Sequence, residues 1–214
     1  MRHSLTIDGP AFRLRPVCIE DAAFIAALRA DPGRGRYLHR GPAGAVCQRE
    51  WLEIYFARNG DYYFLIENGA TGAPEGTVGI YNAAWSIEGS GHRLQRDAEW
   101  GRWILRRGSL AALESACLVY RVGFEMLDLD SLYCRTIVEN ASAVAFHDSF
   151  GMERGCVLPG YLHGLDAIQC RLRRPRWWAL RDGLEAKAAR AAGWSRRPQP
   201  LAPTLGGQRF GVNA

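Results

Sequence analysis

Residues 97–153 constrain the fold of this chain more than any other stretch. They open with a run of β-forming residues, 98–105, in which Trp100, Trp103, Ile104 and Leu105 supply the bulk. A short basic turn follows (Arg106, Arg107, Gly108, Ser109). Next comes an unbroken helical stretch over about 111–127, with Leu113, Cys117, Tyr120 and Phe124 at helical spacing. A second strand covers 131–138, Asn140 follows it, and a second helix runs until Gly151. A chain that leaves a strand through a glycine turn and enters a helix presents first-turn N–H groups with no internal partner. Those groups carry partial positive charge and suit a phosphate. The segment therefore reads as the site of a phosphate-bearing cofactor, with the rest of the chain as its support.

The remaining elements read in order. Residues 12–17 alternate apolar and basic and predict a strand; 22–28 predict a helix, ended by Asp31, Pro32 and Gly33. Residues 34–45 form a loop rich in Gly, Arg and Pro, long enough to contact a substrate. A helix over 47–58 is expected to bury Trp51, Ile54 and Tyr55. Strands follow at 61–66 and 77–81, and 85–95 is read as a loop. Short strands are expected at 156–162 and 167–172. The fold class is α/β, an α+β mixed sheet in the order β-α-α-β-β-β-α-β-α-β-β. The domain is expected to span 1–174, with an appended helix at 175–192 carrying Trp177 and Trp178 and a flexible tail at 193–214.

At 214 residues and a formal charge of +5, the chain is expected to hold one domain with some extra chain. The arginines are spread along it, which argues against nucleic-acid binding. None of the six cysteines forms a C-x-x-C pair and most sit in apolar runs, so neither a metal site nor a disulfide scaffold is expected. Reduced, buried thiols suit a cytoplasmic protein. No apolar stretch follows Met1 as a signal peptide would require, and none approaches the ~18 residues of a membrane span.

Three motifs carry a resemblance. The first is an acidic residue followed by Gly and an aromatic in the strand (Glu99, Gly101, Trp103). The second is the turn Arg107, Gly108, Ser109, Leu110, Ala111, Ala112, then Glu114, with the helix closing Gly123, Phe124, Glu125, Met126, Leu127. The third is Asn140, Ala143, Phe146, His147, Gly151 and Met152. In this order and spacing they resemble the GNAT-type N-acyltransferases, and look most like the branch that includes acetyltransferases of ribosomal-protein N-termini. Leu110 stands where that family usually has Gly, and His147 where a Tyr is common.

The resemblance implies acetyl-CoA as acyl donor, held by Arg106, Arg107 and the amides of Gly108, Ser109, Leu110, Ala111 and Ala112. It also implies that the strand of Ile104 and Leu105 splays from its neighbour and pairs with the pantetheine arm. Asn140, Ala143 and Phe146 complete the cofactor site. An amine such as Lys has a pKa of ~10.4, so transfer to it benefits from a base. Glu99 is the candidate base, or else an exposed strand glutamate paired with an Arg. His147 is the candidate acid for the departing thiolate, or else a histidine on a helix surface. Tyr37, Trp85 and Arg102 are candidates for the acceptor site. The expected activity is direct acetyl transfer to a primary amine of a small molecule, such as an amino sugar nucleotide or amino acid. The alternatives are a protein N-terminus or lysine as acceptor, or a non-catalytic acyl-CoA-binding module. Monomer and homodimer are both open.

Overall fold

A computed structural model of the chain describes residues 2–39, 41, 43–87 and 94–195. Eight strands form one mixed sheet in the order β1-β2-β3-β4-β5-β6-β8-β7. In chain order they are β1 Ile7–Asp8, β2 Phe12–Pro16, β3 Tyr62–Asn68, β4 Pro74–Ile87, β5 Leu94–Leu105, β6 Ser131–Ile137, β7 Glu153–Leu162 and β8 Leu165–Arg173. The helices are α1 Ala22–Ala30, α2 Gly44–Phe56, α3 Ala112–Arg121, α4 Ala141–Ser149 and α5 Arg174–Ser195.

The helices cover both faces. On one, Ile25 of α1 with Leu52 and Tyr55 of α2 pack against Val17, Tyr63 and Leu65. On the other, Cys117, Tyr120 and Phe124 of the α3 stripe meet Phe12, Phe64, Val78, Ile80 and Trp100. The stripe continues past Arg121 through a wider turn, Val122–Met126, which keeps Phe124 in the core. Helix α5 lies on this face too: Trp177 is fully buried with its ring 5.5 Å from that of Tyr120, while Trp178 is exposed. Residues 196–214, which hold most of the expected tail, lie outside the described residues.

Several expectations are corrected. Strand β4 runs on to Ile87 and β5 begins at Leu94, so both ends of the loop read over 85–95 are strand, and 88–93 lie outside the described residues. The short strand ends, Trp85 to Ile87 and Leu94 to Gln95, flank a polar stretch with Gly89 and Gly91 and so read as part of one loop. On α2 the inward series is Gln48, Leu52 and Tyr55, whereas Ile54 is 61% exposed. Cys47 and Cys156 are exposed rather than buried. The two-residue β1 carried no pattern that sequence could reveal.

Two strand pairings set up everything functional. Strand β5 pairs antiparallel with β4 along its length but parallel with β6 at three positions only, Asp97 to Ser131, Ala98 to Leu132 and Glu99 to Tyr133. Beyond Glu99 the two strands part, while β6 stays paired with β8 throughout. The β4–β5 ladder carries two bulges, and each coincides with a non-glycine residue at positive φ: Asn82 (53°) and Arg102 (52°). Such residues are uncommon and persist where surrounding structure holds them. The bulge at Arg102 puts Trp100 and Trp103, three apart, on one face with rings 5.5 Å apart, and leaves Glu99 and Arg102 together on the other. Bulges re-aim side chains in this way.

Replacing Trp177 with Ala is expected to cost about 3–5 kcal/mol, the range for deleting a large buried aromatic. Chemical denaturation with unchanged m-value would check it; a loss below about 1 kcal/mol would mean α5 is only loosely attached.

Candidate active site

Where β5 and β6 part, a cleft of about 720 Å³ opens. Its walls include Trp103, Ile104 and Leu105 of β5, Asn140, Ala141, Ser142, Ala143 and Phe146 around the start of α4, and Gly33, Arg34, Arg36 and Tyr37 from the α1–α2 loop. Asn140 caps α4, its side-chain oxygen accepting from the Ala143 amide at 3.4 Å. It lines the cleft as well, so the capping role and the site role coexist. The Leu105 carbonyl accepts from the Arg34 guanidinium at 2.9 Å, and the Tyr37 hydroxyl donates to the Glu139 carbonyl at 3.1 Å.

The turn 106–111 leads from the cleft into α3. Gly108 has φ of 74°, and a Cβ added there would meet open space, so its glycine serves the backbone conformation alone. Ser109 accepts from the Ala111 amide at 3.2 Å, and Ala111 itself is buried. The first-turn amides of α3 lack a side-chain cap and have no helical acceptor. Arg107 and Ala112 line the cleft. Arg107 also pairs with Asp31 at 2.9 Å while remaining largely exposed. Arg106 does not serve as expected: its guanidinium is committed to buried Glu75 at 2.6 Å, and it is absent from the cleft lining. Leu110 is half-exposed and, like Gly108, Ser109 and Ala111, lies outside the cleft lining. Glu114 is structural, its buried carboxylate accepting from the Ala11 and Phe12 amides at 2.8 Å.

A basin of about 580 Å³ lies on the α1–α2 side of the sheet. Glu99 is its one carboxylate among the described lining residues. That carboxylate is buried, accepting from Arg135 at 3.0 Å and from the Asn82 amide at 3.2 Å. It is therefore paired with an arginine, yet not exposed. Arg102 reaches the basin too, bidentate to Asp61 at 2.6 and 2.8 Å, with its guanidinium 4.4 Å from the Tyr81 ring centroid. Burial, with Glu99 nearby, raises the Tyr81 phenol well above its ordinary range, so it stays protonated. Its hydroxyl stands so close over Gly101 that any Cβ there would collide with it at 2.3 Å. The glycine of the Glu99–Trp103 motif is thus explained by a phenol across the strand pair.

A notch of about 90 Å³ joins the two spaces. It shares Tyr37, Trp103, Asn140 and Ala143 with the cleft and Arg135 with the basin, and Trp100, Gly101 and His147 line it along with Cys134, Thr136 and Ile137 of β6.

A family model described as an acetyltransferase (GNAT) domain matches residues 12–153. The chain belongs to the GNAT acetyltransferase family. No curated protein matches it. Among solved structures, apo FdhC, described as a nucleotide-linked sugar GNAT, is 24% identical with a TM-score of 0.71, covering 87% of this chain and 98% of that one. A GCN5-related N-acetyltransferase from Brucella melitensis is 17% identical with a TM-score of 0.69, over 86% of both chains. A spermidine N-acetyltransferase from Vibrio cholerae, in complex with CoA and spermine, is 19% identical with a TM-score of 0.66, covering 78% and 98%. At these identities the likeness shows the fold.

Within this GNAT domain, the expected site residues divide. Ile104, Leu105, Arg107, Ala112, Asn140, Ala143 and Phe146 gather on the cleft, and Tyr37 joins them instead of the basin. Glu99 and Arg102 meet in the basin. Trp85 pairs with Arg96 in the β4–β5 ladder; its side chain lies outside what is described. Glu99 and His147 line different cavities. His147 is not a surface histidine: it is 4% exposed, edge-on to Trp100 at 5.4 Å, and its Nδ1 is buried without a hydrogen-bond partner among the described residues. Burial lowers its pKa to about 4, so the ring is neutral near pH 7 and offers no imidazolium to a departing thiolate. Sequence reasoning missed Arg29, Gln48, Tyr81, Asn82, Arg135 and Tyr161 in the basin. Of these only Asn82, a polar residue inside a β-run, carries a signal of a bulge. Among the described residues, no group of His, Cys, Asp or Glu could hold a metal, and no helix is long and apolar enough to cross a membrane.

Because the folded pKa of His147 lies below the unfolded value of 6.5, its contribution to stability is complete above pH 6.5 and is lost as pH falls toward 4. The loss amounts to at most about 3 kcal/mol. Comparing thermal unfolding of the protein with His147→Leu across pH 4–7 should show a shallower acid decline in the variant; parallel curves would place the histidine in a wetter setting.

Proposed function

We propose that this chain transfers an acetyl group from acetyl-CoA to the primary amine of a small anionic molecule, such as an amino sugar nucleotide or an amino acid. The observation that carries the reading is the parting of β5 from β6. Past Glu99, β5 keeps a backbone edge that no neighbouring strand uses. Unpaired edges seek an extended partner, and a pantetheine arm supplies amides of the right kind. The phosphates would be held by Arg107 and by the amides of the turn 108–112, the arm by Ile104, Leu105 and Asn140, with Ala143 and Phe146 beside it. When bound, acetyl-CoA supplies an activated acetyl thioester whose thiol is the leaving group.

The chain's own residues do the rest. The basin receives the amine, and Glu99 takes its proton, directly or through water. Arg135 and Asn82 hold the Glu99 carboxylate in place. Tyr81 takes the place that sequence had given to His147, as a hydrogen-bond donor: its phenol stands over Gly101, which lines the notch, and with a pKa raised above that of a thiol it steadies the departing thiolate without giving up its own proton. The neutral His147 serves instead as an aromatic wedge beside Trp100 and Trp103. Charge supports an anionic acceptor. Arg102 is matched by Asp61 and Arg135 by Glu99, so Arg29 is the surplus charge at the basin, where a polyamine would need an acidic surplus.

Calorimetric titration with acetyl-CoA tests the donor site. Micromolar binding is expected, weakened about fivefold in Arg107→Ala, a modest loss because that arginine is exposed. Absence of binding would remove the reading. Glu99→Gln is expected to lower kcat about 10²-fold while the acetyl-CoA affinity stays put. In an acceptor screen, turnover confined to peptides would overturn the small-molecule assignment.

A further inference from the structure

The basin does not end at its own walls. Arg29, His39 and Gly41 also line a side cavity of about 510 Å³ between the end of α1, the start of α2 and the β7–β8 turn, where Arg36 and His163 join them. Among the described residues no Asp or Glu lines that cavity. Arg29 donates to the His39 carbonyl at 2.6 Å and makes no ion pair among the described residues. At the wall of the basin stands Gln48, from the inward face of α2. It is 2% exposed, and its side-chain oxygen is buried without a hydrogen-bond partner among the described residues. Its place in the series 48, 52, 55 is one that a leucine would fill at no such cost. An amide kept there at a loss to stability points to something outside the protein that completes it.

We infer that the acceptor amine is carried on a phosphate-bearing tail, which runs from Glu99 past Gln48 and Arg29 into the side cavity. Gln48 pairs with a hydroxyl or amide of the acceptor, and Arg29 meets the phosphate, with His39, Arg36 and His163 around it. Arginine suits this because its fork of donors matches a phosphate. The inference rests on the acetyl-transfer reading of the basin and adds the chemistry of the acceptor's far end.

The test is titration of the full chain, saturated with CoA so that the turn 106–112 is occupied, with a nucleoside diphosphate, with pyrophosphate and with a free amino acid. One or both phosphate probes should bind and the amino acid should not. A nucleoside diphosphate at least tenfold tighter than pyrophosphate would assign the tail to a nucleotide. Equal affinities would assign it to a simple phosphate ester. Gln48→Leu should weaken the bound probe about tenfold while its Tm holds or rises, a combination that a merely structural glutamine would not give. Arg29→Ala should weaken phosphate probes by a similar factor. Silence from both phosphate probes, or Gln48→Leu with lower Tm and intact binding, would overturn the inference. If the protein then still acetylates an unphosphorylated amine, the transfer reading stands without the tail. Failure to bind acetyl-CoA in the first place would overturn both.

Discussion

The site depends on one unfinished ladder. At its base the β5–β6 pair is pinned: buried Asp97 accepts from Ser131 at 2.8 Å and from Arg171 at 2.8 Å, and the Arg96 amide donates to Asp130 at 2.9 Å. Above Glu99 the pinning stops, and Trp100, Trp103, Phe146 and His147 form an aromatic wedge alongside the gap. Each strand is satisfied on its far side, β5 by β4 and β6 by β8, so the sheet tolerates the gap. Main-chain groups facing it still require water or a ligand. Cleft, notch and basin all follow from this single divergence.

The two bulges decide which chemistry faces which space. Without the extra residue at Arg102, strict alternation would set Arg102 beside Trp100 and drive a guanidinium into the apolar face. With it, Arg102 reaches Asp61 and the aromatic rings of the basin. The bulge at Asn82 does the same for a side-chain amide, which meets Glu99. The positive φ values are a local strain held in place by the fully paired strands around them.

The part of this plan that sequence reveals is the part that is contiguous. The strand 98–105, the glycine turn and the α3 stripe could be read because each is a local pattern, and Asn140 because a cap sits next to its helix. The basin could not, since its residues come from α1, α2, β3, β4, β5, β6 and β7. Arg106 and Arg107 looked alike in the chain. Only the fold gives one to Glu75 and leaves the other at the cleft beside Asp31. His147 reads equally from sequence as a proton donor or as a surface histidine, and its burial beside Trp100 is a tertiary fact. Ile54 was read inward because it is apolar, yet Gln48 took the inward place. A polar residue displacing an apolar one at a helix face is where local rules yield to a site.

The α1–α2 loop ties the two lips of the cleft together, Arg34 to the carbonyl of Leu105 and Tyr37 to that of Glu139. The Leu105 carbonyl lies on the edge that β6 leaves open, so Arg34 is an internal competitor for it. An incoming chain that uses this carbonyl shares its two lone pairs with the guanidinium or displaces it. Displacement swaps one hydrogen bond for another and leaves the Arg34 guanidinium a donor to place elsewhere in the cleft. A cation thus stands at the open edge itself, where an anion entering the cleft meets it.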